Sequence, residues 1–155
     1  MISILLIIHG LLAVALLGAV THQAFSVGRR PVRSAHADFI HKYRAVGAAT
    51  YTNAIVVLFI VTSIGGALLY PQYRLDVRTA LEDLNLRSAN GAFEIKEHLA
   101  AIGLGILPIY WYFWKTPLEA RFATGRKYLT WILTFLVWWN FLVGHILNNI
   151  KGFGQ

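Results

Sequence analysis

Apolar residues in this chain gather in long runs separated by short polar stretches, instead of alternating every second position as in strands. A helix needs about 20 predominantly apolar residues to cross the hydrocarbon core of a bilayer. Four runs reach that length, at about 2–27, about 45–70, about 95–114 and about 128–150. Pro71 follows the second run, and a proline that cannot donate a backbone hydrogen bond is read as its end. Between the second and third runs, Leu75, Val77, Leu81 and Leu84 recur at helical spacing among charged residues. That pattern predicts a short amphipathic helix lying over one face of the membrane. The expected fold is therefore an all-α membrane protein. It is a single domain spanning 1–155, an up-down bundle of four transmembrane helices with a small helix in the connection over residues 71–97.

Charge turns that pattern into a topology. The chain has 155 residues, 57% hydrophobic and 14% charged, with a formal net charge of +7. The first connection carries Arg29, Arg30, Arg33, Lys42 and Arg44 against Asp38. The third carries Lys115, Arg121, Arg126 and Lys127 against Glu119. The second is richer in acids, with Asp76, Glu82, Asp83, Glu94 and Glu97. The positive-inside rule places the first and third connections in the cytoplasm, and both termini and the second connection outside. In a Gram-negative bacterium that is an inner-membrane protein with periplasmic termini. The first run is read as an N-out membrane helix and not a secretory signal, because its positive charge follows the apolar run. Tyr110, Trp111, Tyr112, Phe113, Trp114 and Lys115 read as an aromatic belt with a snorkelling lysine at the cytoplasmic boundary. Basic residues confined between spans argue against nucleic acid as a partner.

Within this frame, three histidines fall at one depth. Measured from the cytoplasmic boundary, His9 lies roughly 27 Å along the first helix, His98 roughly 24 Å along the third and His145 roughly 26 Å along the fourth. Histidine in lipid is costly, so each is a candidate functional residue. Thr134, Trp138, Phe141, His145 and Asn148 repeat at helical spacing and are read as one inward stripe, with Trp138 placed to stack on a ligand. Gly105 falls on the His98 face. Thr62, Ser63, Gly65 and Gly66 of the second helix lie at matching depth, small enough for a flat ligand or a close helix to approach. Cysteine is absent, which excludes thiolate metal sites, iron–sulfur clusters and covalent heme attachment.

Two imidazoles at equal depth on different helices are what a bis-histidine heme requires. Lys96, Arg74, Arg78 and Arg87 are available for its propionates. The layout resembles the small four-helix membrane b-type cytochromes, which carry heme between transmembrane histidines. The resemblance covers the chain in layout and rests on His9, His98 and His145, two of which would serve one iron. It implies non-covalent heme b, electron transfer near the outer face, and membership of a respiratory or photosynthetic complex with other membrane subunits. A quinone at the same site is compatible with the layout.

Other readings stand beside it. A surplus third histidine suits a metal-dependent membrane enzyme in which His9, His98 and His145, with Glu94, hold one ion. A chain with almost no soluble mass also suits a heme-free accessory subunit that stabilises a larger complex. His22 and His41 could ligate a second heme near the cytoplasm, but His36 and His41 are read more simply as solvated members of a basic loop. Asn53 and Asn140 are expected to bond between helices. No nucleophile–base pair and no nucleotide-binding glycine motif occurs.

Overall fold

The structure, a computed structural model, describes residues 2–27, 48–115 and 120–152. All regular structure among them is helical. Helix α1 spans Ile2–Ser26. A 3-10 turn, Ala48–Thr50, leads into α2, Tyr51–Gln72. A π-helical stretch, Tyr73–Val77, joins α2 to the short α3, Arg78–Asp83. Helix α4 runs over Arg87–Lys115, and a 3-10 turn at Ala120–Phe122 precedes α5, Ala123–Gly152. Three segments, Ile2–Ser26, Tyr51–Asp83 and Ala123–Asn149, are long and apolar enough to cross a membrane. The helix α4 is long too, but its first half carries Glu94, Lys96, Glu97 and His98.

The four long helices pack in a ring in the order α1, α2, α4, α5, with α5 closing on α1. Cross-helix pairs show that neighbours run antiparallel. His9 meets Gly65 while Gln23 meets Thr52; Phe59 meets Gly103 while Tyr73 meets Asn90; Lys96 meets Gly144 while Trp114 meets Thr130. One end of the bundle is overlain by the π stretch and α3 and is called the capped end below. The other carries Lys115, Arg121, Arg126 and Lys127 and is called the basic end.

Several helix boundaries depart from the apolar runs. Pro71 does not end α2; it lies inside the helix with its ring exposed. It removes one i→i−4 bond, and the loosened ladder recovers when the Tyr73 N–H reaches the Leu69 and Tyr70 carbonyls and one π turn follows. Helices α4 and α5 begin at Arg87 and Ala123, several residues before the apolar runs at 95 and 128. Apolarity marks depth in lipid, whereas a helix continues through polar residues for as long as nothing stops it.

The core is concentrated toward the basic end. Leu16, Val20, Ile55, Phe59, Leu107, Tyr110, Trp114, Leu133 and Val137 form one buried cluster there. The Phe59 ring lies directly on Gly103, where any Cβ would collide with it. At the capped end few side chains are buried, and the first half of α1 is largely exposed.

Candidate functional site

The three expected ligands lie at matching levels in different surroundings: His9 packs against α2, while His98 and His145 are exposed. His9 lies against α2: a Cβ at Gly65 would be 3.0 Å from its Nδ1, and one at Gly66 3.5 Å from its Cε1. The small residues of α2 thus make room for an imidazole from the neighbouring helix and do not form a cradle for a flat ligand. Lys96 and Glu97 of α4 act electrostatically on His9. The His9 Nδ1 and the Thr62 Oγ1 are shielded without a hydrogen-bond partner.

His98 is exposed on α4, its Nδ1 2.7 Å from the Glu94 carbonyl oxygen. A carbonyl only accepts, so Nδ1 carries the proton and Nε2 keeps its lone pair. His145 is exposed on α5, its ring parallel to Phe141 at 6.0 Å and 3°. Because Lys96 packs against Gly144, His98 and His145 lie at matching levels of α4 and α5. Among the described residues, no three His, Asp or Glu side chains converge to hold a metal ion, so His9, His98, His145 and Glu94 do not form one constellation.

What the structure does bring together is a cleft at the capped end, between the end of α2 with its π extension and the start of α4. Tyr70, Tyr73 and Phe93 form an aromatic wall, with Tyr73 stacked on Phe93 at 3.4 Å and 8°. Arg74 lies over the Tyr70 ring at 5.9 Å and donates to its hydroxyl at 3.2 Å. The Tyr73 hydroxyl donates to Asn90 at 3.2 Å. Arg74, Arg78 and His98 line this one cleft, with Glu94 and Glu97 on its α4 side. Arg78 also pairs with Glu82 at 2.8 Å. Arg87 sits in the adjoining polar recess beside Arg78 and Glu82.

Other expected site residues are placed elsewhere. Lys96 does not itself line the cleft: its ammonium pairs with Glu97 at 2.7 Å and lies 4.8 Å from the Phe93 ring, two residues that do, and its stem lies against Gly144. Gly105 is exposed with nothing packed on it, so it cradles no neighbour. The expected inward stripe of α5 is rotated from its predicted position. Of its members Thr134 is buried as expected and Phe141 is half-buried, but Trp138, His145 and Asn148 are exposed; Thr130, Leu133, Leu136, Val137 and Leu147 complete the buried face. Trp138 sits at the rim of that face, where its indole donates to Thr21 of α1 at 3.0 Å. Asn53 accepts from Trp111 at 3.0 Å across helices as expected, but Asn140 donates to its own helix at the Leu136 carbonyl.

Toward the basic end, His22 is buried with its ring 4.4 Å from Tyr51. Its expected partner His41, like His36, lies outside the described residues. Next to His22 is a group the sequence reading did not single out. Gln23 and Tyr110 are both fully buried, at 0% exposure. The Tyr110 hydroxyl donates to the Gln23 side-chain oxygen Oε1 across the diagonal of the bundle, and the Gln23 side-chain amide donates to Thr52 Oγ1 at 3.1 Å. Trp114 donates to Thr130 at 3.1 Å. Two members of the expected aromatic belt, Tyr110 and Trp114, are therefore interior hydrogen-bonding residues; Trp111 and Tyr112 remain exposed. The one sequence signal for this network is a glutamine within an apolar run. The chain matches no family model, no curated protein and no solved structure.

Proposed function

We propose that this protein is a membrane-embedded electron-transfer protein carrying non-covalent b-type heme at its capped end. The observation that carries this reading is the cleft that gathers His98, Arg74 and Arg78 beside an aromatic wall. The donor set suits the group: an imidazole with its Nε2 lone pair available, two guanidiniums for propionates, and ring faces for the macrocycle. Bound there, heme supplies one-electron redox chemistry. The protein's own part is to fix the His98 tautomer through the Glu94 carbonyl and to hold Arg74 in place on Tyr70. The second axial ligand would be His9 or His145, neither of which lines the cleft itself. The chain's place is within a respiratory or photosynthetic assembly of a bacterial inner membrane.

The reading includes a fourth crossing, by α4, with the termini and the cap on the outer side. Support comes from register: α4 meets crossing neighbours along its length, at Trp111 with Asn53, Gly103 with Phe59 and Lys96 with Gly144. The basic end then lies on the cytoplasmic side.

A visible spectrum of natively expressed, purified protein tests the proposal. A Soret band and a reduced-minus-oxidised α band are expected, lost in His98→Ala and in one of His9→Ala and His145→Ala but retained in the other. The absence of Soret absorption in fully loaded material rejects heme and leaves the accessory subunit.

A further inference from the structure

The basic end carries a second arrangement, independent of the heme reading. Three of its cations lie over aromatic rings: Lys115 over Trp111 at 4.8 Å, Arg121 over Phe122 at 4.6 Å and Arg126 over Trp114 at 5.5 Å. Lys127 is exposed beside them. These residues come from the end of α4, the 3-10 turn Ala120–Phe122 and the start of α5. The two helices approach closely here, since a Cβ at Gly125 would lie 2.9 Å from the Phe113 ring. Between Tyr110 and Trp131 the sequence holds a single acid, Glu119.

The Arg126 guanidinium lies over the Trp114 ring, and the N–H groups at its edge suit the oxygens of a phosphate. Arg126 directs one N–H to the Phe113 carbonyl at 3.2 Å, and a guanidinium has further donors. Below the cations, Tyr128 and Trp131 are exposed on α5, where a span meets the headgroups. Cations fixed at headgroup depth above exposed aromatic surface match a lipid that has a negative phosphate and acyl chains.

We propose that the junction of α4 and α5 at the basic end binds the headgroup of an anionic phospholipid, with Arg121, Arg126 and Lys127 on the phosphate. The test uses the full chain in phosphatidylcholine vesicles containing phosphatidylglycerol brominated high on the acyl chain. The control contains brominated phosphatidylcholine at equal mole fraction. Tryptophan quenching is expected to favour the anionic lipid, and each cation removed in Arg121→Gln and Lys127→Gln lowers that preference about fivefold. Both side chains are exposed, so these variants fold. Arg126→Lys, which keeps the charge and loses the planar fork, is expected to lose part of the preference. Equal quenching by the two lipids overturns the proposal, as does a double variant with undiminished preference. A preference unchanged in Arg126→Lys overturns the assigned guanidinium contact. Inorganic phosphate at matched ionic strength should leave the preference intact; if it abolishes it, the site takes a soluble anion and the lipid assignment fails.

Discussion

The side chains that most constrain the interior are Gln23 and Tyr110. Their bond runs from α1 to α4, helices that are not neighbours in the ring, and so ties the diagonal. A buried hydrogen bond contributes modestly when formed, but removing one partner leaves the other with fewer bonds and no water to replace the lost one. Gln23→Leu or Tyr110→Phe alone is therefore expected to destabilise the protein by about 1–3 kcal/mol. The double variant replaces both polar groups and is expected to be more stable than the sum of the single effects implies. Thermal unfolding of the four proteins in one detergent measures the coupling, and strictly additive losses would show that the two groups do not act as a pair. Little of this was legible in the sequence. A tyrosine in a run of aromatic residues at a membrane boundary reads as a belt residue, because composition carries no information about which way a ring points. His9, His98 and His145 show the same limit. Counting along helices gave their shared level, which the His9–Gly65 and Lys96–Gly144 contacts support. It could not give their faces, and one leans on α2 while the other two are exposed.

At the scale of elements, the connection over residues 71–97 is where pattern and structure differ most usefully. The leucine spacing anticipated a short helix, and Leu81 is its buried anchor at 2% exposure, with Leu75 and Leu84 turned outward at 73% and 66%. The sequence reading took Pro71 as the stop, but the stop is Asn85, the one described non-glycine residue with a left-handed backbone, at φ 56°. Leu86 donates to the Leu81 carbonyl at 2.8 Å and Asn85 to the Glu82 carbonyl at 2.9 Å, which makes a Schellman closure of α3. Asparagine tolerates this conformation better than other side-chain-bearing residues. The turn reverses the chain so that α4 starts beside the π stretch and Phe93 meets Tyr73, which builds the cleft wall. Asn85→Gly is expected to be close to neutral and Asn85→Ala to cost about 1–2 kcal/mol. Differential scanning calorimetry distinguishes them, and equal melting temperatures would show that the left-handed turn does not hold the cap.

At the scale of the whole molecule, burial is lopsided: side chains interlock toward the basic end, and the capped end carries exposed histidines, arginines and a cleft. A bundle anchored at one end can present chemistry at the other without losing its helix order. That division has functional meaning only if the two ends face opposite sides of the membrane, and α4 decides it. Its charge-free stretch from Leu99 to Trp114 covers about 24 Å, short of the roughly 30 Å of a hydrocarbon core. The cross-helix register nevertheless holds α4 level with two apolar spans, and its polar start lies under the cap. The absence of cysteine makes the question direct, since a single introduced thiol reports its own side. Glu82 on the cap and Arg121 at the basic end are both exposed and suit replacement. With α4 crossing and the termini outside, Glu82→Cys is expected to react with a membrane-impermeant maleimide in intact spheroplasts, and Arg121→Cys only in inverted vesicles. Labelling of both from the same side would mean that α4 does not cross. The cleft and the cationic junction would then share one face, and electron transfer at one surface with lipid binding at the other would no longer describe this protein.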